Sequence, residues 1–185
     1  MIITITGKPC SGKSTISRLI AEKYGFKRIG VGDMFKAEAA KRGISTEEFN
    51  ALCLKNPEYD YLVDEQSAKL GKELEGQKVV FDSRLAWHFV PKSFKVFVDL
   101  NDEEMARRLA NSDRTGKEQY KDLNEAMRTL KSRRDLENER YKKIYNVDLT
   151  NLSNFDYVIS SLNKTPEEVT QKIMDAYKKF CIANG

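Results

Sequence analysis

The stretch Gly7-Lys8-Pro9-Cys10-Ser11-Gly12-Lys13-Ser14-Thr15 constrains this chain more than any other. It fits the pattern G-x-x-x-x-G-K-[ST] without a mismatch. Its flanks matter as much as the pattern. Before it, Ile2-Ile3-Thr4-Ile5-Thr6 is a β-branched run that reads as a buried strand. After it, Ile16, Leu19, Ile20 and Tyr24 recur at helical spacing. A chain that enters a glycine loop as a strand and leaves it as a helix aims backbone N–H groups inward at the helix's positive end, forming an anion nest. Gly7 and Gly12 permit backbone angles and close approaches that a Cβ would block. In such a nest Lys13 reaches β- and γ-phosphates, the Ser14 hydroxyl ligates Mg²⁺, and Thr15 touches the α-phosphate.

The totals narrow the class. With 185 residues, a single domain over 1–185 is expected. Apolar residues make up 40% and charged residues 32%, an ordinary folded composition with no apolar run of membrane-spanning length. The net charge of +4 suits anionic ligands without demanding a nucleic-acid polymer. The three cysteines, Cys10, Cys53 and Cys181, form no C-x-x-C pair, and His88 is the one histidine. Neither a disulfide framework nor a zinc site is indicated. The first strand begins at residue 2 with no leader before it, so a cytoplasmic monomer is the expectation.

Further strands read at Lys27–Val31, Val79–Asp82, Phe94–Asp99 and Asp156–Ser160. They alternate with helices, which predicts a three-layer α/β/α fold with a five-stranded parallel sheet and right-handed crossovers. Between the second and third strands lie two or three short helices over 33–76, more than a plain crossover needs. Asp33 reads as a helix N-cap, Ser45-Thr46-Glu47-Glu48 as a capping box, and Tyr61 to Leu74 as a helix. In an open parallel sheet ligands sit at the carboxyl ends of strands. Asp82 ends an apolar strand, so it either supports Mg²⁺ through water or caps the loop, and Arg84 is aimed into the same crevice. Trp87 and His88 read as core-edge packing.

Seven of the eleven arginines fall between residues 107 and 140. Arginine's planar fork suits bidentate phosphate contacts. Within a long helix expected from about residue 118 to 145, Arg133, Glu137 and Arg140 are spaced i, i+4, i+7 and share one face. Either they grip a phosphate and a sugar hydroxyl together, or they form solvated i,i+4 ion pairs. Arg107, Arg128 and Arg134 read as surface residues. Arg108 and Arg114 flank a polar break at 111–116 that could fold over a nucleotide as a lid.

This pattern resembles the small P-loop nucleoside monophosphate kinases, most closely the archaeal-type cytidylate kinases. The resemblance is carried by Gly7 to Thr15, Gly32-Asp33-Met34-Phe35-Lys36, Phe81-Asp82-Ser83-Arg84-Leu85-Ala86, Arg114-Thr115-Gly116-Lys117, and Arg133 to Tyr141 with Tyr145 and Asp148. It implies that the phosphate loop holds ATP with Mg²⁺, that the 33–76 insertion holds the acceptor through residues such as Asp33 and Lys36, and that 107–140 supplies a lid. Arg84, Arg133 and Arg140 would hold phosphates, with Glu137 near the acceptor ribose. The activity it implies is transfer of the γ-phosphoryl group to CMP or dCMP. Three positions depart from the family's habit: Lys36 stands where an arginine is usual, and Asp82-Ser83 before Arg84 stands for glutamate-glycine. A kinase of another small acceptor, with Asp33 or Asp82 as base, and a non-catalytic nucleotide-binding regulator are the alternative readings.

Overall fold

The computed structural model describes residues 2–45, 48–49, 52, 55–56, 58–111 and 122–184, and the side chains of all of these except residues 35, 58–64, 129 and 133. The described strands are β1 (Ile2–Gly7), β2 (Lys27–Gly30), β3 (Val79–Asp82), β4 (Ser93–Asp99) and β5 (Tyr157–Ser160). They form one parallel sheet in the order β2-β3-β1-β4-β5. The described helices are α1 (Lys13–Tyr24), α2 (Val31–Lys41), α3 (Glu58–Glu73), α4 (Ala86–Phe89), α5 (Asp102–Ala110), α6 (Leu123–Tyr145) and α7 (Pro166–Asn184).

β1 is central because it is apolar on one face and able to hydrogen-bond on the other. Ile3 and Ile5 are fully buried against Ile16 and Ile20 of α1 and Val169 and Ile173 of α7. Side chains of this kind contribute roughly 1.5–3 kcal/mol each when fully buried. Thr4 and Thr6 alternate to the opposite face. There the Thr4 hydroxyl bonds the Ser93 hydroxyl at 3.1 Å and Thr6 donates to the Arg84 carbonyl at 3.1 Å. That second layer is finished by Leu74, Ala86 and Val90 over β1–β3, and by Leu85, Trp87, Tyr141, Val147 and Phe155 beside Phe97. Both faces are therefore covered, as a parallel sheet requires.

The strand boundaries match the sequence reading to within one residue, and three helix starts move further. α2 begins at Val31 with Gly30 at its N-cap, so Asp33 lies in its first turn rather than capping it. α3 begins at Glu58 instead of Tyr61. α6 begins at Leu123, where the Asp122 carboxylate accepts from the Glu125 N–H at 2.8 Å, a cap the helical periodicity concealed. The Ser45 box is present, with Ser45 Oγ accepting from Glu48 N–H and Glu48 Oε2 accepting from Ser45 N–H. Residues 112–121, Arg114 among them, lie outside the described residues. No described helix is long and apolar enough to cross a membrane.

β1 runs out at Gly7, where φ is +151° and the Lys8 N–H donates to the Val98 carbonyl at 3.1 Å. A Cβ on Gly7 would sit 2.1 Å from that carbonyl oxygen, whereas one on Gly25, at φ +71°, meets nothing within 4 Å. Gly7→Ala should therefore cost about 3 kcal/mol or more, a fall in Tm of roughly 6–12 °C. Gly25→Ala pays only the left-handed backbone term of about 1–2 kcal/mol. Thermal melts of the two variants check this, and equal destabilisation would contradict it.

Candidate active site

The loop between β1 and α1 is folded by three residues with positive φ: Gly7, Cys10 at +58° and Gly12 at +90°. Gly12 is the N-cap of α1 and offers no side chain to it, and the first turn carries no acid. Thr15 and Ile16 N–H both donate to the Gly12 carbonyl. The N–H groups of Gly12, Lys13 and Ser14 have no acceptor among the described residues. The Ser11 hydroxyl is buried there with no partner among the described residues. Exposed helix-terminal donors, a bare positive dipole and an unpaired hydroxyl fit an oxyanion of the polyphosphate kind. Ser14 and Thr15 are exposed at the rim, and Pro9 and Cys10 are half-buried. Lys8 turns away, its Nζ on the Leu100 carbonyl at 2.9 Å and on Asp99 at 2.8 Å, so it anchors the loop to the end of β4.

Lys13 lies half-buried beside the loop. Burial, and next the charge of Arg84, push its pKa down to about 8, against the pull of Asp82, Glu137 and Cys10. Lys13 and Arg84 thus converge from β1's loop and β3's end, close enough for their like charges to repel. An incoming polyanion would relieve that repulsion.

Arg84 is held at both ends. Its carbonyl accepts from the Thr6 hydroxyl and from the Trp87 indole N–H at 2.9 Å, and its Nη1 pairs with Glu137 of α6 at 2.5 Å. Next to that pair, the Arg140 guanidinium stacks over the Tyr141 ring at 4.9 Å and donates to its hydroxyl at 3.2 Å. Burial and the Glu137 charge hold the Tyr141 phenol well above its ordinary pKa. Of the helix face read from spacing, Glu137 pairs with Arg84 at the end of β3, and Arg140 lies one turn further on, against Tyr141. Arg133 shares their helix, but its side chain lies outside the described ones.

Asp82, 8% exposed, closes the other side. Its Oδ2 takes Arg28 Nη2 at 2.7 Å and the Ser17 hydroxyl at 3.4 Å. Arg28 Nη1 also holds Asp33 at 2.8 Å. Asp82 is bonded to Ser17, one helical turn beyond Ser14, and lies near Lys13; a carboxylate so placed can support a divalent cation shared with phosphate oxygens. Lys36 is exposed on α2.

Arg108 is not free in this conformation. It bonds Glu104 at 2.8 Å, the Cys10 carbonyl at 3.2 Å and the Ser161 carbonyl at 3.3 Å. It ties α5 to the phosphate loop and to the turn after β5. With Arg107 it holds the Glu104 carboxyl down to about 2. Arg134, read as a surface residue, instead donates to Asp102 at 2.9 Å. It helps line a cavity of about 270 Å³ together with Gly7, Lys8, Arg84, Asp99, Glu137 and Leu149. The cavity sits outside the carboxyl ends of β1 and β4, the strands from which the chain departs in opposite directions. Asn138 shapes its wall by accepting from the Leu149 N–H at 2.8 Å and donating to Asp148 at 3.1 Å. Sequence pattern missed Arg28, Ser17, Thr6 and Asn138, since each acts through a long-range partner that no local spacing announces.

The profile of a family described as an AAA domain matches residues 3–131. A cytidylate kinase of Methanothrix thermoacetophila is 36% identical over 161 residues, covering 87% of this chain and 88% of that one. A cytidylate kinase of Archaeoglobus fulgidus is 34% identical over 177 residues, covering 95% and 94%. Among solved structures, a shikimate kinase from Aquifex aeolicus aligns over 98% of both chains with a TM-score of 0.61 and 21% identity, a likeness of fold. Identity sustained end to end on both chains goes beyond a shared phosphate loop: this chain belongs to the cytidylate kinase family, and it is a P-loop nucleoside monophosphate kinase.

Proposed function

We propose that the protein transfers the γ-phosphoryl group of ATP to CMP or dCMP, giving ADP and CDP or dCDP. The observation that carries this reading is the pair of cations, Lys13 and Arg84, held beside the same nest but on different elements. One suits the donor's phosphates and the other an acceptor's. In this reading residues 7–15 bind ATP: Gly7 to Gly12 shape the loop, Lys13 meets the β- and γ-phosphates, and Thr15 meets the α-phosphate. Mg²⁺, held by Ser14 and supported by Asp82, would neutralise charge on the β- and γ-phosphates.

The acceptor's phosphate takes the place of Glu137 on Arg84. Arg140 and Arg133 add charge to the same anion, and the freed Glu137 accepts from a ribose hydroxyl. The attacking atom is an oxygen of the acceptor phosphate, already anionic, so transfer needs no strong base. Catalysis is then positioning plus charge neutralisation by Lys13 and the arginines. The 33–76 segment, with Asp33 and Lys36, forms the acceptor side. The 107–140 region, with Arg108 and Arg114, closes over the nucleotides and excludes water. A cytosine preference is supported by the relatives' names.

An acceptor panel in a coupled ADP-release assay should give the fastest turnover with CMP and dCMP. Release stimulated by no nucleotide, or only by a hydroxyl acceptor such as shikimate, would reject the reading. Lys13→Ala should lose on the order of 10²–10³ or more in kcat while keeping its melting curve; near-normal turnover in the folded variant would remove the loop from the mechanism.

The Lys13 ammonium also sets a pH signature. It is protonated below about pH 8 and neutral above it in the free protein. Meeting a triphosphate requires the charged form. Affinity for a non-hydrolysable ATP analogue should be level below that pH and fall as pH rises through it, with proton uptake on binding at about pH 9. Calorimetry in two buffers of different ionisation enthalpy reads that proton; uptake that persists unchanged in Lys13→Ala would refute the assignment.

A further inference from the structure

We propose that Arg28 is a positioning residue of this site: it fixes the Asp82 carboxylate as the metal-supporting group and ties it to the first turn of the acceptor-side helix α2. The inference rests on the proposed role of Asp82.

Arg28 lies on β2, away from every recognised motif. Its guanidinium fork nonetheless serves three elements at once. Nε donates to the Ser17 hydroxyl of α1 at 2.8 Å, Nη2 to Asp82 at the end of β3 at 2.7 Å, and Nη1 to Asp33 of α2 at 2.8 Å. The Ser17 hydroxyl in turn donates to the Ser14 carbonyl at 3.0 Å. The chain of contacts therefore runs from the residue proposed as metal ligand, through Arg28, to both carboxylates.

The backbone is shaped to admit this bridge. A Cβ on Gly30 would lie 2.4 Å from Asp33 Oδ2 and 2.8 Å from Arg28 Nη2. The φ of Gly30 is −97°, so no left-handed conformation demands glycine there. The space is used by the ion pairs alone.

The two arms differ in strength. The Asp82 side chain is 9% exposed and Arg28 19%, whereas Asp33 is 59% exposed. A buried pair is screened little and cannot lose one partner without leaving a bare charge. An exposed pair is exchanged readily with water or ligand. Arg28 therefore holds Asp82 permanently and α2 releasably. Both arms reach the Oδ2 atom of their carboxylate. The other oxygen of Asp82, Oδ1, has no protein partner among the described residues and remains for a metal-bound water. Lysine would not replace this arginine, because one ammonium cannot reproduce a planar fork with three fixed directions.

The test compares wild type, Arg28→Met, Arg28→Lys and Gly30→Ala by thermal shift with a non-hydrolysable ATP analogue, in EDTA and across a Mg²⁺ titration. In wild type, Mg²⁺ should add a stabilising increment to the metal-free shift. In Arg28→Met the metal-free shift should survive, and the Mg²⁺ concentration giving half the increment should rise about 10–100-fold, as for loss of an outer-shell partner. Arg28→Lys should fall between them. Gly30→Ala puts a Cβ against both Asp33 Oδ2 and Arg28 Nη2, so it disturbs both arms: it should raise the Mg²⁺ requirement by less than Arg28→Met does and also raise the KM for CMP. A wild-type Mg²⁺ requirement in Arg28→Met, or in Arg28→Lys should the methionine variant lose the metal-free shift, overturns the inference and leaves the phosphate-loop reading intact. No Mg²⁺ increment in wild type itself removes Asp82 from the metal site, and this inference with it.

Discussion

The site depends on one close approach between backbones. Where β1 ends, the Lys8 N–H takes the Val98 carbonyl, and Gly7 passes so near it that any side chain would collide. That contact extends the β1–β4 ladder to the last residue of the strand. It also turns the chain over the sheet's carboxyl edge, so that α1 starts with its N–H groups facing the crevice. Without it, the donors of Gly12, Lys13 and Ser14 would have no common focus. The apolar layer beneath, with Ile3, Ile5, Ile16 and Ile20 fully buried, makes the turn rigid enough to hold uncompensated donors together.

Around that focus the charges are paired but not exhausted. Arg84 has Glu137, Asp82 has Arg28, Glu104 has Arg107 and Arg108, and Asp102 has Arg134. The Lys13 ammonium, by contrast, is held at a cost, by burial next to a second cation. A phosphoryl-transfer site gains from such an arrangement. Its cations are oriented before substrate arrives, so little reorganisation remains for the reaction itself. The Glu137 carboxylate that orients Arg84 is a partner that a phosphate anion can displace.

How much of this was legible in the sequence depended on the range of each interaction. The phosphate loop, the five strands, the crevice position of Arg84 and the shared helix of Glu137 and Arg140 could be read because each follows from local spacing or from strand-end position. Helix starts were read less well: Asp33 resembles a cap, yet α2 starts at Val31 ahead of it, and the Asp33 side chain is spent on Arg28 instead. Arg134 was read as solvated, and only the fold reveals Asp102 opposite it, 32 residues away in the chain. Arg28 carried no signal at all, since its partners at positions 17, 33 and 82 meet only once the parallel sheet is assembled. Long-range ion pairs are products of topology, and no periodicity encodes them.

The chain has a single tryptophan, and it is placed with consequence. Trp87 is 6% exposed, sits edge-on to Phe155, and spends its indole N–H on the carbonyl of Arg84. The backbone of the arginine that faces the crevice is thus wired to the molecule's one strong fluorophore. The protein carries its own optical gauge, native and unlabelled, of movement at the β3 edge, with no competing emitter of the same kind to blur the reading.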